Sequence, residues 1–561
     1  MAAAEIPPNI TNSANSVQVT TSPDAKRGGW ITGPFILVAN LGLIMGVGGA
    51  LSNLIVYLKR EYNVKSIDAS QISSIINGCT SVAPIAGAII ADSYLGCFCV
   101  IAVSAFVCLL GIVLMTLTAT IHSLRPLPCT SGSVSCESPS TSQTAILFSG
   151  IALIAIGVGG TRFNIATMGA NQFHKIKDQD SFFNWYFFTS YIAPIVAAFG
   201  IVYVQDNVGW GVGFGLCIVA IAISLAIFLL GQRYYRNLKP EGSPFRCLTH
   251  VVVAAIRKRN LRVTYDSKDY YYGHQGMGSL QPPSSSLSFL NRAALISQGD
   301  TQMDGLQAKP RALCTVDNVE DLKTILKIFP LWSTTIFLST PIAIQLSLTV
   351  IQALSMDRRI GPHFSIPAGS FTVFPFLATA VTLPLVNYVL YPMWHKLIGR
   401  YPTPLQRIGV GHIINIISMM GFALVESRRL QVVHSHHLED SPNSVAPISA
   451  MWLVVPQTII GFGEALHFPG AVALYYQEFP KSLRSTGTAM TTLVIGISFY
   501  LSTAIVGLIR RVSTWLPNNM NQSRLDNVYW LLAVVGVLNF GYFLLCTWLY
   551  KYQSFEEQEK Q

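Results

Sequence analysis

Charge is scarce in this chain: 11% of its 561 residues are Asp, Glu, Lys or Arg against 51% hydrophobic, and the mean hydropathy is +0.45. That balance excludes an ordinary soluble multi-domain protein and points to a membrane protein. Metal-type cysteine spacing is also lacking: the ten cysteines are scattered, with no C-x-x-C pair, so neither a metal nor another cofactor is expected. No H-E-x-x-H, G-x-S-x-G or paired-carboxylate motif falls near one face of the membrane, which argues against an enzyme. The first 26 residues lack the apolar core of a signal peptide, so a cytosolic tail is expected. The net charge of +10 would suggest nucleic acid in a soluble protein. Here the basic residues fall between apolar runs, as cytoplasmic loops require, and nucleic acid is set aside.

What is abundant is apolar sequence in runs near bilayer length. Six spans are expected at about 34–58, 72–91, 98–121, 145–168, 187–204 and 211–230, and six more at about 331–354, 368–391, 405–425, 450–473, 485–509 and 528–550. Between the sets lies a polar stretch whose first part carries Arg233, Arg236, Lys239, Arg246, Arg257, Lys258, Arg259 and Arg262 against the single acid Glu241. The positive-inside rule makes it cytosolic, and twelve spans then put both termini on that side as well. The expected division is a tail (1–28), a first six-helix bundle (29–231), a basic linker (232–323), a second six-helix bundle (324–550) and a short tail (551–561). Within the linker, Gln281–Ser288 reads as disordered, and 251–261 reads as solvated chain or as a short basic helix on the membrane surface. Two bundles joined by a hydrophilic hinge are the layout of a transporter that rocks about a midplane site.

Arg162 carries the chemistry. It lies inside the apolar run 145–168, where an always-charged guanidinium costs ~2.5 to 3.5 kcal/mol on the lenient insertion scale. Gly157, Gly159 and Gly160 let another helix approach just before the charge, which turns it toward protein. Either Arg162 lines a solute path or it snorkels to the interface as an anchor. Its planar fork suits two oxygens of a small planar anion. Glu464 is the one carboxylate deep within a span, with His467 on nearly the same face; the histidine reads equally as a ligand or as packing near the break at Pro469. Tyr191, Gln345, Tyr57 and Asn53 either line a cavity or hydrogen-bond between helices, at ~0.6 kcal/mol each. Asp92 reads as ordering the loop after span two. Cys129 and Cys136 share a polar external loop, either bridged or as free thiols. The sequon Asn521-Gln522-Ser523 sits close to the membrane and is expected to stay mostly unmodified.

A series of motifs resembles one known family: N-L-I-V-Y-L (53–58), A-D-S-Y-L-G (91–96), G-V-G-G (157–160), S-F-F-N-W (181–185), K-P-x-G-S-P (239–244), M-D-R (356–358), I-P-A-G-S (366–370), T-P-L-Q-R (403–407) and F-P-K-S-L-R-S-T (479–486). They are similar to the plant nitrate/peptide transporter family, a branch of the proton-dependent oligopeptide transporters in the major facilitator superfamily. The resemblance implies an all-α membrane protein with the major facilitator fold of twelve transmembrane helices. It also implies that the residues corresponding to Arg162 and Glu464 pair across the two bundles as a gate. The chain departs from the family where E-x-x-E-R is usual: Asn40, Leu43 and Ile44 occupy the three charged positions. Arg162 stands for a lysine, Tyr191 for an asparagine and Cys97 for an arginine, and the seventh span, 331–354, contains no histidine. With G-G-T-R-F and G-E-A-L-H-F-P, this pattern resembles the nitrate excretion transporter subgroup. That implies a plasma-membrane protein passing nitrate, and in some members chloride, passively. Two alternatives remain: a proton-coupled carrier of a small organic solute or peptide, with Glu464 or His467 titrating, and a membrane anion sensor without flux.

Overall fold

The structure, a computed structural model, describes residues 27–127, 138–173, 176–236, 244–264, 266–272, 283–297, 313–362, 364–441, 444–478 and 484–550. The first half contains helices α1 (Gly33–Ser52), α2 (Leu54–Glu61), α3 (Ser66–Ile90), α4 (Gly96–Thr120), α5 (Thr141–Ala170), α6 (Ile176–Val196), α7 (Val202–Asn207) and α8 (Trp210–Leu230). The second half has α10 (Val316–Leu354), α11 (Val373–Leu385), α12 (Tyr391–Ile398), α13 (Pro404–Ser435), α14 (Val454–Glu478), α15 (Arg484–Val512) and α16 (Leu525–Leu549); α9 (Pro244–Arg257) lies between the halves. Several starts are written locally. α13 opens on Thr403 with Pro404 in the first turn and Gln406 reaching back to the cap, so the T-P-L-Q stretch is a capping box; Ser140 and Gln143 do the same for α5.

Among the described residues, ten helical stretches are long and apolar enough to cross a membrane. One of them, Ser66–Thr120, has 55 residues, or about 80 Å at 1.5 Å per residue, far beyond a bilayer. It divides at a π turn (Ala91–Leu95) and at Gly96, whose φ of 75° suits glycine. Separating α3 from α4 and adding the apolar α14 gives the twelve expected spans. α6 and α7 join through another π turn (Ala197–Ile201) into span five, and α11 and α12 through a third (Val386–Leu390) into span eight.

The two halves share one packing scheme. In the first, span one packs on spans five and six, three on four and six, and two on four (α1 on α6 and α8, α4 on α5 and α8, α3 on α5). In the second, seven packs on eleven and twelve, nine on ten and twelve, and eight on ten (α10 on α15 and α16, α13 on α14 and α16, α11 on α14). Each pairing recurs six spans later, which is an internal repeat. Between the bundles, α3 meets α15 and α6 meets α11, a symmetric pair of seams, and α10 also meets α3.

The polar contacts across those seams gather at the end away from residues 231–323. Arg510 pairs with Asp68, Arg358 reaches Asp206 at 3.5 Å, the Ser370 hydroxyl donates to the Ala198 carbonyl at 2.6 Å, and the Ser74 and Ser347 hydroxyls lie 2.7 Å apart. Tyr203 stacks on Phe364 across the same seam. Arg60 and Arg358 thus converge on one carboxylate, which accounts for two of the arginines far from the linker.

Of the two readings of 251–261, the structure takes the helix up to Arg257, and it packs against the protein rather than lying as solvated chain. α9 packs with a 3-10 turn (Ser288–Ala293) on the start of α10, and Val251, Ala254, Tyr270, Leu290, Leu295 and Val319 form a separate small core. Ser284, within the stretch read as disordered, donates from its backbone and hydroxyl to Glu320 (2.9 Å each), while Lys323 donates to its carbonyl at 2.8 Å. Gln281 and Pro282 lie outside the described residues. α10 begins at Val316, inside the stretch read as linker. Apolar positions spaced along 251–255 supply the buried face that the basic composition concealed.

Near the far end of the second bundle, Glu426 and Arg429 are wholly buried. Arg429 donates to Glu426 through two nitrogens (2.9 and 2.6 Å), to Asn521 Oδ1 (3.0 Å) and to the Met520 carbonyl (2.8 Å). The Gln352 amide completes Glu426 at 2.6 Å. Asn521, the sequon residue, has its own amide nitrogen bound to Ser444 Oγ and to loop carbonyls. The folded protein therefore withholds that nitrogen from a glycan.

Candidate functional site

The site is built where α5 leaves its tight packing. Gly159 lies against Ala83 of α3 and Gly157 against Ser104 and Cys108 of α4, while a Cβ on Gly87 would collide with the Gly159 backbone. These close approaches commit one face of α5 to its neighbours. Arg162 follows immediately, and its side chain is exposed although it stands eight residues inside the end of a 30-residue helix. Tyr186 of α6 donates to the Arg162 carbonyl at 3.2 Å and lies within electrostatic reach of the guanidinium. From the other bundle comes Glu464 on α14, part-buried and close enough to interact with Tyr191 of α6. Arg162 and Tyr186 thus form one polar group on the first bundle, and Glu464 of the second approaches Tyr191. Among the described residues, no ion pair joins Arg162 to Glu464.

The remaining candidates go elsewhere. His467 is fully buried inside the second bundle, edge-on to His412 with ring centres 5.3 Å apart and packed over Gly411. Gln345 is buried and donates to Thr349 on its own helix at 3.0 Å. Tyr57 is buried among Tyr62, Trp210 and Phe214, its hydroxyl 2.9 Å from that of Thr118. Asn53 is buried against Gly369 at the far-end seam, with neither amide atom in a hydrogen bond. Sequence reading valued these four as polar residues in apolar helices, and rotation about the helix axis decided which face each took. The side chain of Asp92 and the Cys129–Cys136 loop lie outside the described residues.

One participant, Tyr186, was not singled out by sequence; Asn40 was, as a departure from the family's charged motif. Tyr186 sits in an aromatic run, N-W-Y-F-F, that carries no periodic signal. Asn40 occupies the first of the three positions where the resembling family has charge. Its amide donates to Thr189 (3.0 Å) and Ser190 (3.1 Å), closing α1 on α6 with neutral bonds. Leu43 is buried beside it. With no E-x-x-E-R charge in α1, nothing at these positions exchanges protons.

Two repeated six-helix bundles joined by a linker are the layout of a secondary transporter. The comparisons agree. The profile described as POT family matches residues 98–524. The chain is 50% identical over 552 residues to Protein NRT1/ PTR FAMILY 2.7 of Arabidopsis thaliana, covering 98% of each chain. It is 47% identical to Protein NRT1/ PTR FAMILY 2.6 of the same plant, covering 99% of this chain and 98% of the relative. The chain therefore belongs to the POT family, in its plant NRT1/PTR branch, and is a multi-pass membrane transporter. Among solved structures, it is similar to an auto-inhibited POT family peptide transporter (TM-score 0.69, 16% identity, 93% of this chain and 97% of that one). It also resembles the POT family transporter PepTSo (TM-score 0.66, 18% identity, 94% and 99%). These likenesses bear on the fold, and it is the major facilitator fold that the sequence implied.

Proposed function

We propose that this protein passes nitrate, and with it chloride, down its electrochemical gradient, in the manner of the nitrate excretion subgroup. The observation that carries the reading is Arg162, exposed as a residue yet set deep among protein atoms and without a carboxylate partner, combined with neutral Asn40, Leu43 and Ile44 where protons would otherwise be handled. A small planar oxyanion takes two parallel bonds from such a fork, and no proton need accompany it. The basic linker argues for a cytosolic linker end and cytosolic termini. Clustering of the seam contacts at the far end is then consistent with a state closed to the outside. Arg162 and Glu464 pair in another state of the cycle, and the anion takes the guanidinium when they part. A plasma-membrane location follows from the subgroup reading.

A second reading has one observation behind it. Glu464 is a carboxylate that approaches Tyr191, and the solved POT family relatives include peptide transporters. On that reading Glu464 titrates and a proton drives a peptide or organic solute. Voltage-clamped cells exposed in turn to nitrate, chloride and a dipeptide separate the two. Nitrate currents should persist when the proton gradient is collapsed at fixed voltage, and Arg162→Ala at normal surface abundance should abolish them while Arg162→Lys keeps part. Uphill nitrate accumulation driven by an imposed proton gradient, or full nitrate flux in Arg162→Ala, would overturn the proposal.

A further inference from the structure

We propose that a small cavity between α10, α13 and α16, inside the second bundle, holds one ordered water bound by His412, Asn415 and Asn539. The cavity measures about 10 Å³, room for about one water. Its walls are apolar side chains, among them Phe337, Leu338 and Met419, except for those three residues. His412, Asn415 and Asn539 are 1%, 5% and 5% exposed, and each presents polar atoms with no hydrogen-bond partner: His412 Nε2, both amide atoms of Asn415, and Asn539 Oδ1. Each polar residue of the lining therefore carries at least one unpartnered atom. Buried polar groups in native interiors are nearly always satisfied, by protein or by water.

The chemistry fits a water. It donates to Asn539 Oδ1 and to an unprotonated His412 Nε2, and accepts from Asn415 Nδ2, the three bonds usual for an internal water. The His412 ring is held for this role by stacking on Phe543 (centres 4.8 Å apart) and by the edge of His467 behind it. The other half of the Asn539 amide donates to the Thr334 carbonyl of α10 at 2.9 Å. One water thus joins α13 to α16, and Asn539 carries the link to α10, tying together three helices that must move as one body when the bundles rock. The inference does not depend on which solute is carried.

Radiolytic hydroxyl-radical footprinting of the purified full-length protein tests it, because radicals form at ordered waters and oxidise the side chains beside them. Met419, 2% exposed, lines the cavity, whereas Met115, 0% exposed, sits in the apolar core of the first bundle. Met419 should be oxidised several-fold faster than Met115, and Asn415→Leu with Asn539→Leu should bring it down to the Met115 rate. Equal rates in the unaltered protein would overturn the proposal without any variant. Rapid Met419 oxidation that survives in a folded, monodisperse double variant would overturn it too, since the radicals would then come from water these side chains do not hold.

Discussion

The two bundles share a packing scheme and differ in what they bury. The first closes its span three to span four contact through glycines: Gly111 meets Gly150, and Gly157 and Gly160 meet Ser104. Its in-span charge, Arg162, is left exposed. The second places a complete ion pair, Glu426 with Arg429, and a histidine pair in its interior. One architecture therefore accommodates two solutions. In the first half, small residues bring backbones together and dispersion holds them; in the second, buried polar groups fix helix register at a desolvation cost. The first bundle leaves its in-span charge exposed, and the second seals and pairs its charges.

Breaking the buried pair should give the largest effect. Arg429→Met strands the Glu426 carboxylate in the interior, at about 3–5 kcal/mol, and should nearly eliminate folded protein as read by size-exclusion profile and thermal melting. Arg429→Met with Glu426→Leu should recover much of it, because apolar replacement of both partners is close to neutral. A double variant no better than the single would show that the pair has a role beyond satisfying itself.

The glycine side of the comparison is sharpened by Gly87→Val. The added carbons meet the Gly159 backbone, which cannot yield as a flexible side chain would. Overpacking of about 1–3 kcal/mol should lower the melting temperature and reduce flux, since α3 and α5 are pushed apart beside Arg162. An unchanged melting temperature would mean that the two helices have slack.

A smaller shift is expected from the seam itself. Asp68→Asn with Asp206→Asn removes both ion pairs that join the bundles at the far end, which are part-exposed and worth about 1 kcal/mol or less each. That moves the balance between states by severalfold rather than emptying one. Ser347→Cys, buried at this seam in the parent, should react several-fold faster with a membrane-impermeant thiol reagent in the double-Asn background. Equal rates would place the closing energy in the apolar contacts instead.

The mildest test concerns the linker, which either bundle could have left loose. Cys314 is buried in the small linker core, and burial pushes its thiol up to about 11, so little thiolate exists at neutral pH; Cys247 nearby is exposed. Cys247 should take up maleimide readily while Cys314 resists until the linker unfolds or the pH approaches its raised value. Equal labelling of the two at neutral pH would return the linker to the solvated chain that its composition suggested.

Much of this protein was legible in one dimension. Span number, the hinge between spans six and seven and the glycine approach before Arg162 follow from run length and residue size, because a bilayer imposes a length and a close helix contact imposes a small side chain. The capping boxes at Ser140 and Thr403 are local in the same way, and the family motifs carried the major facilitator fold. The faces of helices that are apolar all round were not legible: Gln345, Tyr57, Asn53 and His467 turned into bundle interiors or seams, while Tyr186 turned to Arg162. No hydrophobic periodicity distinguishes the lipid side from the protein side in such helices. Partners distant in sequence, such as Asn521 for Arg429 and the Thr334 carbonyl for Asn539, exist only once the helices are packed. That packing, not composition, decided which polar groups are sealed, which are paired and which are left exposed.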